Sequence, residues 1–173
     1  MNWQEKLKQF EKNKSWDLAI EFMQKVITEN PNSLDAYLSM NYLLMNLLVE
    51  ENYDQAKQTY YEKLTKKYFD ESYGKFSNNA EYLFYMGIVA HMSEWYFGIE
   101  IEEAKQMLKK AALLDSSNIL YTWGYYAYLD MSNDANNIKA QIYAKEILNN
   151  SHLITQINSK GTIGQYILEM IVP

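Results

Sequence analysis

His91 and Glu94 stand one helical turn apart in "HMSE", a spacing at which an imidazole and a carboxylate can reach one cation. A carboxylate-bridged helical metal centre needs several further ligands, and no Glu-x-x-His pattern accompanies this pair. The other histidine, His152, lies in "NNSHLIT" near a helix start and reads as a surface residue. Carboxylates gather as Glu50, Glu51 and Asp54, as Asp70 and Glu71, and as Glu100, Glu102 and Glu103. Each group falls at a helix start or turn, where negative charge complements the helix dipole. General acid–base work needs one buried, shifted carboxylate, and the pattern singles out none. There is no Gly-rich phosphate loop, no HExxH, no Gly-x-Ser-x-Gly and no cysteine nucleophile. The expectation is a protein that is not an enzyme and carries no cofactor. A metal-binding helical protein using His91 and Glu94 is the alternative from another class.

The chemistry left to the chain is recognition. Sixteen tyrosines, six phenylalanines and four tryptophans occur, and "LYTWGYYAYLD" from 120 to 130 holds five of these rings. All sixteen cationic residues are lysine, so the side chain best suited to bidentate phosphate or carboxylate contacts is missing. The net charge is −6 and the pI about 5.0. That argues against nucleic acid, whose binders present a basic face, and suits a basic protein partner.

The elements that must position these residues read as helices. Apolar residues recur at three- and four-residue steps, with short Asn/Ser/Asp clusters between them. The expected helices are 2–12, 15–29, 33–50, 52–68, 79–94, 100–114, 117–130, 134–149 and 162–171. Asn2, Ser15, Ser33, Asn52, Asn79 and Ser117 are the expected N-caps, with Asn2 and Glu5 close to a capping box. "DESYGKFSNN", 70–79, is polar, contains Gly74 and reads as an internal break within one helical domain spanning 1–173. The longest apolar run, 42–49, is too short to cross a bilayer, and "MNWQEKLKQFEKN" has no apolar h-region. On those grounds the expectation is a cytoplasmic protein, and the absence of cysteine allows a reducing compartment.

Pieces of the chain resemble one another. An alanine follows a large apolar residue by three and precedes another by four: Trp16, Ala19, Met23; Tyr53, Ala56, Tyr60; Ile101, Ala104, Leu108. Ala140 and Ala144 form a weaker copy, and Pro31 closes the first unit. Upstream, Leu83, Met86, Gly87 and Ala90 repeat as Leu120, Trp123, Gly124 and Ala127. A mid-helix glycine costs about 1 kcal/mol, so its repetition implies a close approach by another helix. This pattern resembles the tetratricopeptide repeat (TPR), a family of paired antiparallel helices, over roughly residues 1–149. Gly87 with Ala104 and Gly124 with Ala140 match its small positions. The chain departs from the family at Asn41, where glycine is expected, and in its longer turns.

The resemblance implies an all-α fold of antiparallel helical hairpins, stacked as a TPR-like α-solenoid or packed as a compact right-handed bundle. It also implies that one face of each first helix lines a concave groove. That face would carry Asp35, Leu38, Tyr42 and Met45, then Glu81, Phe84, Ile88 and His91, then Tyr121, Tyr125 and Tyr128. Two readings of this stripe stay open: rings that grip a partner, or rings that fill a core. Whether the three tyrosines see solvent decides between them. The partner-binding candidates are Tyr121, Tyr125, Tyr128, Phe84, Glu81, His91, Tyr42 and Asp35. The expected role is a protein-binding module, most concretely a bacterial immunity protein that occludes a basic toxin such as a nuclease. A TPR-type chaperone or scaffold holding a peptide is the alternative. Partner identity and oligomeric state are not written in the sequence.

Overall fold

The three- and four-residue apolar period is realised as helix throughout the computed structural model, which describes residues 2–130 and 132–171. Eleven α-helices occur among the described residues, and no strand. They are α1 (Trp3–Lys12), α2 (Trp16–Glu29), α3 (Leu34–Glu50), α4 (Gln58–Phe76), α5 (Ala80–His91) and α6 (Glu94–Phe97). Then come α7 (Ile101–Leu114), α8 (Ile119–Leu129), α9 (Asp134–Leu148), α10 (Ser151–Asn158) and α11 (Thr162–Ile171). Helices close in sequence pack together, α1 with α2, α3 with α4, α5 with α7 and α8 with α9. Short connections make such neighbours antiparallel. No helix among the described residues is long and apolar enough to cross a membrane.

Local chemistry sets most boundaries. Asn2, Ser33 and Asn79 accept from the amides of Gln4, Ala36 and Tyr82, as N-caps should. Ser15 precedes α2 without a side-chain cap bond. Asp54 and Asn118 cap where Asn52 and Ser117 were expected, accepting from Ala56 and Leu120. The reciprocal box forms at Glu100 and Glu103, where the Glu100 amide donates to the Glu103 carboxylate at 2.9 Å.

The expected break at 70–79 is helix through Phe76. Ser72 is buried there, and a Cβ at Gly74 would meet nothing within 4 Å. Asp70, Glu71, Tyr73, Gly74 and Lys75 are the exposed side of α4, and its glycine marks open space. Helix α4 also begins late, after a 3-10 turn at Gln55–Lys57. Two short helices, α6 and α10, lie outside the expected spans but for Glu94, although the second starts at Ser151, beside the helix start read at His152.

The core falls into two apolar clusters that share α3. Leu43, Leu44 and Leu47 pack with α1, α2 and α4, while Leu38, Tyr42 and Met45 belong to the cluster that runs on through α11. A helix apolar on every side is a buried one. Asn41, at the expected glycine position, is fully buried in α3 and donates to Tyr37 O (2.9 Å) and Ser72 Oγ (3.2 Å). Ser72 in turn bonds the Tyr82 hydroxyl at 2.7 Å, tying α3, α4 and α5 together.

The repeated glycines admit side chains. A Cβ on Gly87 would lie 2.8 Å from Leu108 and 3.3 Å from the Ala104 carbonyl oxygen. One on Gly124 would lie 2.6 Å from the Phe84 ring. The expected Gly87–Ala104 proximity is present. Gly124 instead accommodates Phe84 and Leu108, and its nearest neighbours do not include Ala140.

Candidate recognition face

The predicted groove residues divide into two sets. Phe84 is fully buried, wedged between α5 and α8, with its ring 5.1 Å from Tyr121 and 6.5 Å from Trp123. It packs helix on helix and does not line a surface. Tyr121 and Tyr128 keep only 8% and 7% of their surface, so two of the three stripe tyrosines belong to the core. Tyr125 is partly exposed, its ring 5.1 Å from Tyr126. Tyr126 stacks on Tyr143 at 6.1 Å, and the Lys139 ammonium lies 4.6 Å from its ring centre, at the edge of the core as its phase implies. His91 is half-buried and meets the Tyr128 ring edge-on at 4.9 Å. Burial, reinforced by Lys105, holds its imidazole below the usual histidine pKa.

The second set is brought together by a segment the repeat pattern did not reach. Helices α10 and α11 turn back across the faces of α1, α3, α5 and α8. The Lys160 ammonium, in their connection, meets Asp35 of α3 at 2.9 Å and Glu81 of α5 at 2.5 Å. Burial draws that ammonium down, and the bonds to Glu81 and Asp35 more than offset it, so its pKa stands above the ordinary lysine value. The Tyr166 ring lies 5.3 Å from that of Tyr42, which keeps 8% of its surface. Thr162 donates to the Glu11 carboxylate of α1, and the Gln4 side chain donates to the Ser159 carbonyl at 3.2 Å. Glu11 is pushed up to about 7, first by burial, which the Thr162 bond and Lys8 only partly offset.

The groove-facing tyrosines carry the same mark of enclosure. Burial raises the phenols of Tyr42, Tyr121 and Tyr128. A cleft of about 370 Å³ is left between α5, α8 and α10, lined by Glu81, Tyr85, Asn118, Tyr121, Gln156 and Lys160. The stripe had two readings, a gripping surface or a core, and the chain's own residues 151–171 lie against it.

Lys160, Glu11, Thr162 and Tyr166 escaped sequence reasoning. Lys160 sits 125 positions from Asp35, in a turn without period, and no local signal links them. His91 and Glu94 gather no third ligand: among the described residues no group of three or more His, Asp or Glu side chains is placed to hold a metal. Comparison with protein-family models, curated proteins and solved structures finds no match.

Proposed function

We propose that this chain is a non-enzymatic protein-binding module that receives a basic helical segment on the shared face of α1, α3, α5 and α8. One observation carries the reading. That face already holds a helical hairpin, through apolar contacts and through a lysine clasped between Asp35 and Glu81. A surface that holds one amphipathic segment through a lysine has the shape and charge for another that presents a cation there. The net charge of −6 and the aromatic floor support the same partner class. The TPR-like phase of Gly87 and Ala104 supports it too, since that family uses this face.

More narrowly, the module is a cytoplasmic bacterial immunity protein that occludes a basic toxin, such as a nuclease. This narrower reading rests on size, acidity and analogy of class. Its mechanism is steric: carboxylates of this chain meet lysines and arginines around the toxin's active site.

The test is binding of a purified basic partner captured from the native host. Affinity falls at least tenfold on replacing both Asp35 and Glu81 by Asn, and falls with added salt. Salt-independent binding unaffected by the double variant, or stoichiometric metal in the purified protein, would remove the reading.

A further inference from the structure

The hairpin that covers the face is one contiguous stretch of chain whose two helices pack on each other. Gly161, with φ of +73°, makes the left-handed turn between α10 and α11. Gly164 then lets the two helices touch, since a Cβ there would clash with the Ile157 carbonyl. Residues 151–171 therefore pack helix on helix within the hairpin as well as against the rest of the chain. Its link to α9 is the exposed pair Asn149 and Asn150.

Its contact with the other helices has the composition of a binding interface. Ile157, Ile163, Ile167 and Ile171 make an apolar seam, each at most 2% exposed. Polar groups ring the seam: Lys160 on Asp35 and Glu81, Thr162 on Glu11, and Gln4 on Ser159. Partly buried ion pairs and enclosed carboxylates add little net stability while fixing register. Removal of the hairpin would bare Glu11, Asp35 and Glu81 beside Tyr42 and Tyr121. Bare carboxylates and rings call for a cationic, apolar replacement.

We propose that residues 151–171 are a resident ligand, displaced when a partner helix with an apolar seam and a lysine at the place of Lys160 takes the same face. The inference rests on the protein-binding reading and names both the chemistry of the partner and what it must compete with.

The test uses the full chain. Hydrogen exchange should show amides of α10 and α11 exchanging at least about a hundredfold faster than those of α3 and α5, through an opening that leaves the other helices intact. Lys160→Gln should speed α10 and α11 by about a further tenfold and leave α3 and α5 unchanged. A synthetic peptide of residues 151–171 should bind Lys160→Gln at least tenfold more tightly than it binds wild type, whose own hairpin competes. The same peptide carrying Lys160→Glu should bind at least tenfold more weakly. Exchange of α10 and α11 only together with α3 and α5 in the wild type would overturn the proposal, as would absence of peptide binding to either chain. A basic partner that binds while 151–171 stay protected would also overturn it, yet leave the protein-binding reading standing. Opening and peptide binding with no basic partner in the host would support the inference and sink that reading instead.

Discussion

The Thr162 hydroxyl lies 3.1 and 3.0 Å from the two carboxylate oxygens of Glu11, joining residues 151 positions apart. Glu11 is held at about 7 against an ordinary 4.5. A raised carboxyl pKa favours the folded state at low pH: the contribution is fully present below 4.5 and is lost as pH rises through 7. Urea denaturation of the wild type and of Glu11→Gln from pH 4.5 to 8 checks this. The variant should gain on the wild type as pH rises, by roughly 1–3 kcal/mol at pH 8. A constant difference between the two would assign Glu11 an ordinary pKa.

Two glycines in helices should respond in opposite directions to the same change. Gly74→Ala adds a methyl facing open space and should stabilise by about 0.5–1 kcal/mol. Gly124→Ala drives a methyl against the Phe84 ring and should cost about 1–3 kcal/mol. Phe84→Leu made together with Gly124→Ala should cost less than the sum of the single changes. Thermal melts of the four chains decide it, and additivity would mean that Gly124 does not make room for Phe84.

The stripe tyrosines should separate by burial. Tyr128→Ala removes a ring packed on Trp123 and His91 and should cost about 3–5 kcal/mol. Tyr125→Ala, at a partly exposed position, should cost under about 1 kcal/mol. Equal losses in denaturation midpoint would place both rings in one environment.

Asn41→Ala strips Ser72 and the Tyr37 carbonyl of a buried donor and should cost about 2 kcal/mol. Tyr82→Phe, one bond further along the same network, should cost about 1 kcal/mol. If Asn41→Ala is silent, the network is not what ties α3 to α4.

What the sequence disclosed and what it withheld follow from the range of each interaction. Apolar period is local, so eight of the nine expected helices lie within about three residues of their observed positions. The exception, 52–68, misjudged where Tyr53 ends and α4 begins, because Asp54 capped a 3-10 turn first. Phe84 was given to the groove because position alone put it there. The Gly124 that receives it forty residues later shows that the ring points along the stack. Asn41 looked like a lapse in a repeat, whereas its amide serves α4, and no pattern within α3 could say so. The clasp on Lys160 lay furthest out of reach: Asp35, Glu81 and Lys160 have ordinary local settings, and their meeting is a product of the whole fold.

That the face of α1, α3, α5 and α8 is covered by residues 151–171 has a consequence for synthesis. The ribosome completes all four helices before it makes the hairpin, at about 5–20 residues per second. For a few seconds each nascent chain therefore presents Asp35 and Glu81 without the lysine that later clasps them. A basic partner meeting the chain in that interval faces no competitor, whereas one arriving later must evict a neighbour already in place.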